Sequence, residues 1–432
     1  MLISPVRVLV LGNGGREHAL FLKISQSPLV KEIFIAPGNG GNRESEKIQL
    51  DVMDFASVLQ VVQNRQIDLL VAGSEAPLAA GIKDYFKEKM PLLMVFGPDK
   101  NSAQLEASKI FSQKFMERVG IPTAKSRVAQ NLNEAIYIIE NHPLPMVIKA
   151  DGLAAGKGVS IHYEKGEAIE RCEEIFTDKI FGNAGNNILF QEFLNGQEAS
   201  LFAMCNGKEA IYLPTACDYK RVYDGGKGPN TGGMGSFSPG NILTSKHIKI
   251  AQEKIVQKVI DEFHYTGILY VGLMIDRDDI SVVEFNCRLG DPETQCVMPM
   301  METDLVPYLL WSCGKNEAPL KIKEDGFFKA PAKPGYCLNV VLSAKGYPSS
   351  DYVRNLPLQF PEKMPENVHI VHAGTKMENG QIVSSGGRIA NIVGFDKEPS
   401  IARKKVYDFI DSLKKTNDFS KLHYRLDIGE QV

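Results

Sequence analysis

The sequence predicts a multidomain α/β protein with a doubly wound parallel sheet at its N-terminus and a small mixed α/β domain at its C-terminus. Its 432 residues would fill about three domains at roughly 150 residues each. Strand and helix patterns alternate over the N-terminal part, as they do in doubly wound sheets. Near the other end, alternating apolar segments flank Asn379-Gly380, a dipeptide that favours a tight hairpin turn.

The N-terminal prediction depends on four apolar segments that are each followed by a helical pattern. The first segment precedes a glycine turn and is too short for a signal sequence or a membrane span. The predicted strands cover residues 7–12, 32–38, 67–73 and 92–97, and the helical patterns include residues 56–66, 77–89 and 102–120.

Further along the chain, strand pairs are predicted on either side of two turns, within residues 187–207 and 266–293. Residues 122–192 are predicted to be mainly short β-rich segments around a glycine-rich loop. In the tail, predicted strands precede a final helix. These strands lie within residues 336–344, 369–387 and 388–395, and the helix covers residues 399–415.

Composition excludes several classes of protein. Hydrophobic residues make up 44% and charged residues 23% of the chain, and the net charge is −3, which is typical of a soluble globular protein and gives no broad basic surface for nucleic acid or a membrane. The seven cysteines are scattered without a C-x-x-C pair, so we predict a reduced cytoplasmic protein without structural zinc. The sequence contains neither H-E-x-x-H nor G-x-S-x-G, so a zinc helix and a serine nucleophile are not indicated.

The stretch VIKADGLAAGKGVSI, residues 147–161, combines glycines with lysines. Only three residues separate Gly152 from Gly156, and the next lysine precedes glycine, so the spacing does not fit a Walker P-loop. Glycines allow the backbone to approach a polyanion closely, and Lys149 on the preceding predicted strand could point into a cleft. A flexible surface hairpin with solvated lysines is the alternative.

The stretch LGNGGREH, residues 11–18, joins the first predicted strand to a helix. Amide N–H groups at such a helix N-terminus could hold a phosphate. Glu17 occupies the position of the third glycine in the dinucleotide fingerprint, so that motif is incomplete. A tight strand-to-helix turn without a ligand explains the glycines equally well.

The stretch VVEFNCRLGDPE, residues 282–293, carries polar side chains two residues apart on a predicted strand. Side chains two apart share a face, so Glu284, Asn286 and Arg288 should point one way and the intervening residues into the core. Carboxylate and amide oxygens suit Mg²⁺, and a guanidinium suits a carboxylate or a phosphate. A solvated face with one salt bridge is the alternative.

Two further segments leave their roles open. Residues 188–200 could form a hinge strand against an adenine ring, with Glu198 accepting from ribose hydroxyls, or an ordinary strand and turn. Residues 215–239 contain Asp218, Lys220 and six glycines. Such a segment could be a mobile loop that touches a charged substrate or a disordered surface loop.

In this order along the chain, the motifs resemble those of the ATP-grasp superfamily and, within it, the phosphoribosylamine–glycine ligase family. The resemblance runs from residue 8 to residue 388 and includes the closing DIG at 427–429. The matching stretches are VLGNGGREHAL, APGNGG, QLEASK, VIKADGLAAGKGV, EFLNGQEAS, DYKR, GPNTGGMG, EFNCRLGDPETQ, HAGTK and GGR.

The resemblance assigns roles to individual residues. It implies that ATP is bound by Lys109, Lys149, Gly156, Gly158, Gln191, Glu192, Phe193, Leu194 and Glu198. It implies that Glu284 and Asn286 are the metal ligands and that Lys149, Asp218 and Arg288 act in catalysis. It implies that the substrates contact Gly12, Asn13, Gly14, Gly15, Asp218, Lys220 and Arg288.

The family reaction would join glycine to 5-phosphoribosylamine with ATP and Mg²⁺ or Mn²⁺, through glycyl phosphate, in purine biosynthesis. The fold would be an ATP-grasp core with a mobile lid at about residues 122–192, which would close over the triphosphate. The domains would cover residues 1–103, 104–330 and 331–432. We expect no nucleic acid or membrane partner, and a monomer, with a dimer as the alternative.

Several positions depart from the family pattern. Gln191 replaces a common glutamate, Cys217 a glutamine, Ser74 a proline and Leu289 a phenylalanine. Gly272 lies where many ATP-grasp enzymes have another metal-binding carboxylate, which leaves the metal shell open. Two alternatives remain: another ATP-grasp ligase, such as a biotin-dependent carboxylase component or a sister purine enzyme, and a nucleotide-sensing module without activity.

Overall fold

The N-terminal region forms a parallel sheet in the computed structural model, which describes residues 5–154, 158–315 and 318–432. Its elements are β1 Val6–Gly12, α1 Gly15–Ile24, β2 Val30–Pro37, α2 Phe55–Arg65, β3 Leu69–Ala72, α3 Glu75–Ala80, α4 Ile82–Lys89 and β4 Met94–Phe96. The strand order is β2-β1-β3-β4, and all neighbours are parallel. The predicted fold class is confirmed, and the order reverses between β1 and β3, where open α/β sheets form a crevice for ligands.

Two predicted helices are each broken into two. The pattern at 77–89 lies across α3 and α4, because Gly81 between them has a φ of 91°, which favours glycine. The pattern at 102–120 becomes α5 Gln104–Ala107 and α6 Lys109–Val119. Between them Ser108 is extended, and its Oγ accepts a hydrogen bond from the Phe111 N–H at 3.0 Å. This N-cap places Lys109 at the first residue of α6.

The next segment forms an antiparallel sheet with two helices on it. Its elements are β5 Ser126–Ala129, α7 Leu132–Asn141, β6 Met146–Ala150, β7 Val159–His162, α8 Lys165–Phe176 and β8 Ile188–Glu192, in the strand order β5-β8-β6-β7. The sequence analysis missed both helices. In α7 the buried residues Ala135, Ile138 and Ile139 have the i, i+3, i+4 spacing of a helix, so the signal was present between the strands.

A second sheet forms the centre of the molecule, with the strand order β16-β15-β9-β10-β18-β17. Its strands and the helices beside it are β9 Gln197–Asn206, β10 Ala210–Tyr212, α9 Ser245–Ala251, a π-helical turn Gln252–Val256, α10 Gln257–Phe263, β15 Thr266–Asp276, β16 Asp279–Asn286, α11 Thr294–Met300, α12 Val306–Ser312, β17 Ile322–Glu324 and β18 Phe327–Lys329. The predicted pair at 266–293 is present as β15 and β16. The two strands predicted within 187–207 are present as β8 and β9, but β8 belongs to the preceding sheet and β9 to this one. Residues 322–329, for which no strand is predicted from the sequence, contribute β17 and β18 to this sheet.

The C-terminal part forms a third large sheet, which also takes two strands from earlier in the chain. The order is β11-β14-β19-β24-β21, and β25 pairs with β19. The strands are β11 Cys217–Asp218, β14 Gly235–Ser238, β19 Tyr336–Ala344, β21 Val368–His372, β24 Arg388–Asp396 and β25 Leu422–His423, with α13 Pro399–Leu413 packed against them. Phe237, Leu338 and Ile392 share a buried core with Val406 and Phe409 of α13.

Two smaller sheets complete the fold. They contain β12 Arg221–Tyr223 with β13 Lys227–Asn230, and β20 Pro357–Leu358 with β22 Thr375–Glu378 and β23 Gln381–Ser384. The predicted turn between β22 and β23 is confirmed, because Asn379 and Gly380 have φ values of 50° and 78°, as a type I′ turn requires. Among the described residues, no helix has the length and apolarity needed to cross a membrane.

Candidate active site

A cleft of about 870 Å³ is lined by residues of the β5-β8-β6-β7 sheet, of the central sheet and of segments near both ends of the chain. Thirteen residues from the predicted site line it: Lys109, Lys149, Gly158, Gln191, Glu192, Phe193, Leu194, Glu198, Asp218, Lys220, Glu284, Asn286 and Arg288. Gly156 falls outside the described residues. The predicted glycine turn at 12–15 is not part of the lining. The cleft therefore brings together most of the predicted site residues, which lie far apart in the sequence.

Lys149 lies on β6, buried, and faces this cleft. Its Nζ donates a hydrogen bond to the Val283 carbonyl at 2.9 Å. Burial lowers the pKa of Lys149 to about 8, although the nearby Glu284 carboxylate raises it in part. A lysine that is held without a full counter-charge is suited to receive an anion.

Asp151 fixes Lys109 relative to Lys149. The Asp151 Oδ1 accepts hydrogen bonds from the Ser108 Oγ and the Ile110 N–H, both at 2.9 Å. Its carbonyl accepts the Lys109 N–H at 3.1 Å. The end of β6 and the start of α6 are therefore joined by three hydrogen bonds, and the two lysines face the cleft from one joined unit.

One wall of the cleft is formed by β8 and the loop after it. Gln191 is buried, and its Nε2 donates to the Gln113 Oε1 at 2.7 Å. Gln113 in turn donates to the Ala124 carbonyl at 2.9 Å. An amide at 191 can donate to Gln113 where a glutamate could only accept, which gives a structural reason for this departure from the family pattern. Glu192 uses its Oε1 to accept the Lys125 N–H at 3.0 Å.

Glu198 and Lys220 form an ion pair at the edge of the cleft. The Glu198 Oε2 lies 2.6 Å from the Lys220 Nζ. Burial would lower the pKa of Lys220, but the negative charges of Glu198 and Glu284 outweigh it and keep that pKa well above its usual range. Lys220 therefore stays charged at this edge of the cleft.

The strand β16 and the residues after it present the polar face that alternation predicts. Phe285 and Cys287 are buried in the core, although Phe285 also contributes to the lining of the cleft, and Glu284, Asn286 and Arg288 line the cleft. Burial raises the pKa of Glu284, but Lys220, Lys149 and Lys109 overcome that effect and lower it overall. The Glu284 carboxylate is thus ionised, as a metal ligand must be.

Glu284 and Asn286 fit a divalent cation through two oxygens on one face of the strand. Gly272, opposite Glu284 on β15, adds no carboxylate. Within residues 5–154, 158–315 and 318–432, no cluster of three or more histidine, cysteine, aspartate or glutamate side chains could hold a metal. Such a pair suits a cation that takes its other ligands from phosphates and water, as Mg²⁺ usually does.

Arg288 is held in place by carboxylates that the sequence analysis did not select. Its guanidinium lies 2.7 Å from the Glu106 Oε1 and 3.4 Å from the Glu75 Oε2, and it donates to the Asn286 Oδ1 at 3.2 Å. The charges of Arg16 and Arg288 lower the pKa of Glu75 to about 2 against the opposing effect of burial. This network orients the guanidinium before any ligand arrives.

At the other end of the cleft, which we call the acceptor end, most of the buried charged side chains are carboxylates. Asp218 at the end of β11 has an Oδ1 that is buried and has no hydrogen-bond partner among the described residues. Burial and the nearby Glu293 carboxylate raise the pKa of Asp218 well above its usual range. Arg388, the arginine of the matching stretch GGR, was assigned no role from the sequence. It lies 3.3 Å from the Asp291 Oδ1 at the same end.

The glycines of residues 12–15 make room for Glu17. A Cβ on Gly12 would lie 2.3 Å from the Glu17 Cγ, and one on Gly14 would lie 2.7 Å from the Glu17 Oε2. That oxygen accepts the Gly14 N–H at 2.9 Å. The side chain that replaces the third glycine of the fingerprint thus occupies one of the amides that could have bound a phosphate. The turn also lies beside Asp291, which lines the cleft.

Comparisons with known proteins agree with this arrangement. Family models match three consecutive parts of the chain: the phosphoribosylglycinamide synthetase N domain at residues 6–106, its ATP-grasp (A) domain at 107–294 and its C domain at 337–431. A phosphoribosylamine–glycine ligase of Leptospira interrogans serogroup Icterohaemorrhagiae serovar copenhageni is 41% identical over 98% of both chains.

Solved structures give the same result. The phosphoribosylamine–glycine ligase of Thermotoga maritima matches with a TM-score of 0.81 and 32% identity, over 98% of this chain and 100% of that one. The biotin carboxylase domain of 2-oxoglutarate carboxylase from Hydrogenobacter thermophilus, in complex with MgADP and bicarbonate, matches with a TM-score of 0.72 over 97% and 91% of the two chains. At 15% identity, that second match demonstrates a shared fold only.

Proposed function

Because the chain belongs to the phosphoribosylamine–glycine ligase family and is therefore an ATP-dependent ligase of purine biosynthesis, we propose that its cleft carries out both steps of the reaction in one place. The observation that supports this is the pairing of opposite charges. Lys109 and Lys149 lie with Glu284 at one end, and Asp218 lies at the other. A phosphoryl donor and an amine acceptor can meet between them.

The first step activates glycine. A carboxylate is a poor electrophile, because its leaving group would be oxide. Transfer of the γ-phosphoryl group of ATP to a carboxylate oxygen of glycine gives glycyl phosphate and ADP. Lys109 and Lys149 offset the charge of the transferring group, and the planar guanidinium of Arg288 can hold both oxygens of the glycine carboxylate.

We propose that Mg²⁺, with Mn²⁺ as a substitute, binds to Glu284 and Asn286, whose oxygens fit it. When bound, the ion would shield charge on the phosphates. Glu284 and Asn286 on β16 line the same cleft as Arg288, which lies two residues beyond the end of that strand, so this segment would position the phosphate side and the glycine side of the first step together.

In the second step, the amine of 5-phosphoribosylamine attacks the acyl carbon. The new C–N bond forms, the bond from carbon to the phosphate oxygen breaks, and the phosphate leaves with the electron pair. The attacking nitrogen must lose a proton. Asp218 is our candidate acceptor for it, supported by its buried Oδ1 without a partner.

The remaining contacts are those that the family resemblance implies, and the lining of the cleft supports most of them. The adenine would lie along Gln191, Glu192, Phe193 and Leu194, with its ribose on Glu198 and the phosphates near Gly158. The resemblance also assigns Gly156 to ATP, and this residue lies outside the described residues. Ribose binding at Glu198 would compete with its ion pair to Lys220, which would then be free for a substrate. The phosphate of 5-phosphoribosylamine would reach toward Gly12, Asn13, Gly14 and Gly15, which border Asp291.

We propose the domain limits 1–103, 104–330 and 331–432, with the lid at about 122–192, where the four-stranded antiparallel sheet lies. We also propose that the protein acts in the cytoplasm as a monomer without nucleic acid or membrane partners. All seven cysteines are free thiols, in keeping with a reducing compartment.

Release of ADP tests the proposal. The purified protein with ATP and Mg²⁺ should release ADP when glycine and 5-phosphoribosylamine are both present, and should form the amide product. Bicarbonate in place of glycine, with and without the amine, should give none. ADP release that requires bicarbonate and ignores glycine would overturn the proposed substrate and favour a carboxylase-type ligase.

A further inference from the structure

The carboxylate of Glu293 lies at the acceptor end of the cleft and has no role in the two steps above. Only 3% of Glu293 is exposed, yet it lines the cleft. The Ser200 Oγ donates to its Oε1 at 3.2 Å, and the same Oγ lies 3.0 Å from the Tyr270 hydroxyl. A buried carboxylate is costly unless it is held by such partners, so two side chains place it, Ser200 directly and Tyr270 through Ser200.

Glu293 immediately precedes α11, but its side chain does not cap that helix. The residue at the N-cap position makes no side-chain cap hydrogen bond. Its backbone carbonyl alone accepts from the Cys296 and Val297 N–H groups, both at 2.9 Å. A Cβ on Gly290 would come within 2.5 Å of the carboxylate, so the loop before the helix leaves room for it. A side-chain cap therefore does not explain this carboxylate.

Ser200 connects Glu293 to Asp218. The backbone of Ser200 forms a bridge with Ala216, through hydrogen bonds of 3.1 and 3.3 Å, and Ala216 directly precedes the strand that ends at Asp218. The side chain of Ser200 orients Glu293 while its backbone aligns the strand that carries Asp218. One residue thus fixes the relation between the two carboxylates.

The charges around the two carboxylates strengthen Asp218 as a proton acceptor. Burial, followed by the repulsion from Glu293, raises the pKa of Asp218, and burial raises the pKa of Glu293 as well. The groups that face them from the surrounding elements are Lys220, Glu198, Arg288, Arg388, Cys217 and Tyr270. Lys220 and Arg388 alone would make Asp218 a weaker base.

We infer that Glu293 is a positioning residue for the amine-transfer step and acts through Asp218, so that the Asp218 Oδ1 takes the proton from the attacking amine. This inference rests on the proposed function. The amine nitrogen bonds to the acyl carbon of glycyl phosphate, phosphate leaves with the electron pair of the broken C–O bond, and the N–H proton passes to Asp218. Without the negative charge of Glu293, Lys220 and Arg388 stabilise the ionised form of Asp218 and weaken its attraction for that proton.

Two acceptors separate amine transfer from the first step. Hydroxylamine attacks acyl phosphates readily without a protein base, so glycine hydroxamate and ADP formation with hydroxylamine report on glycyl phosphate formation. Formation of the amide with 5-phosphoribosylamine reports on both steps. Glu293→Gln should lose on the order of tenfold in turnover with 5-phosphoribosylamine, because removal of a general base costs more, and less than about twofold with hydroxylamine. Glu302→Gln, an exposed carboxylate after the same helix, should change neither rate.

Asp218→Asn should show the same selectivity with a larger loss, and the double variant should be no slower than Asp218→Asn, because the two residues act as one unit. Equal losses with both acceptors, or no loss with 5-phosphoribosylamine, would overturn the inference. If Glu293→Gln does not fold, Ser200→Ala carries the same test, with a smaller selective loss expected and an equal loss overturning it. A wild-type protein that releases no ADP with glycine and either acceptor would refute the proposed function itself.

Discussion

The two ends of the cleft bury charged groups of opposite sign, a lysine at the phosphate end and an aspartate at the acceptor end. At the phosphate end, burial lowers the pKa of Lys149 to about 8. At the acceptor end, burial raises the pKa of Asp218 well above its usual range. Each group is destabilised in its charged form until a ligand of opposite charge arrives. The protein thus stores a preference for a polyanion at one end and for an ammonium-like group at the other.

The two ends differ in how the chain builds them. The phosphate end comes largely from short segments: Asp151 ties β6 to the start of α6, and β16 presents its ligands at every second residue. The acceptor end gathers Ser200, Asp218, Glu293 and Arg388 from four separate elements. A local pattern can therefore identify the first end, whereas only tertiary structure assembles the second.

The largest expected loss of turnover comes from replacing Glu284, the proposed metal ligand at the phosphate end. Glu284→Gln should lower turnover by about 100-fold, or about 2.7 kcal/mol, because a neutral amide binds the divalent cation less well. Steady-state ADP release measured across a Mg²⁺ titration checks this. Circular dichroism should show an intact fold.

Asp279→Asn provides the matched control, because this exposed carboxylate lies at the opposite end of the same strand. It should leave the Mg²⁺ dependence unchanged. Wild-type turnover of Glu284→Gln at ordinary Mg²⁺ concentrations would remove Glu284 from the metal site and leave the phosphate end without its predicted ligand.

A smaller effect is expected where the two ends meet, at Arg288. A lysine cannot reproduce the planar fork, so Arg288→Lys should lower kcat/KM for glycine by roughly 30-fold, the equivalent of a charged hydrogen bond of about 2 kcal/mol. ATP affinity should change much less, because Lys109 and Lys149 remain. Measuring both constants in the same variant decides between carboxylate and phosphate as the ligand of Arg288.

Arg118→Lys is the control for this substitution, because Arg118 forms an exposed pair with Glu262 at 2.7 Å. Arg288 also holds Glu106 and Glu75, so a lower melting temperature is expected in Arg288→Lys alone. A collapse of ATP affinity with an unchanged KM for glycine would place Arg288 at the phosphate end.

The sequence was informative where a local period carried the signal. Period two along β16 predicted that Glu284, Asn286 and Arg288 share a face, and all three line one cleft. The break at Ser108 was missed because the apolar pattern continues across it, and only Asp151, more than 40 residues away, completes the cap. Local pattern cannot report a partner at that distance.

Long-range partners account for the other omissions. Glu75 and Glu293 were not selected, because nothing beside them in the sequence marks a carboxylate that will be buried. Their roles appear only when Glu75 meets Arg288 across 213 residues and Glu293 meets Ser200 across 93. The lid helices are a different case, since α7 and α8 had helical spacing that was overlooked between strongly β-like segments.

Two glycine-rich segments near the cleft should respond differently to nucleotide. Amide hydrogen exchange at 150–154 and 158–162 should slow on the order of tenfold with ATP and Mg²⁺ if the proposed lid closes on the phosphates. The hairpin at 221–230 should change little, because the C-terminal segment already holds it. The Asp427 Oδ2 accepts the Gly225 N–H at 2.8 Å. Slow exchange of the lid that ATP does not alter would contradict a mobile lid.

The smallest effect is a fraction of a proton at Lys149, and it tests the charge comparison itself. With a pKa of about 8 in the unliganded fold against 10.5 in the unfolded chain, this lysine costs stability below pH 8 and regains it between pH 8 and 10.5, where folding releases its proton. A bound triphosphate restores the proton.

At pH 8.5, ATP binding should therefore take up roughly 0.7 proton, measurable by calorimetry in buffers of different ionisation enthalpy. Lys220, whose pKa is raised, stays charged in both states and contributes none. Lys149→Met should abolish the uptake and Lys114→Met, exposed on α6, should not. If uptake persists in Lys149→Met, the proton binds to another group. Lys149 would then not be the lysine whose positive charge lacks a counter-charge before ATP binds.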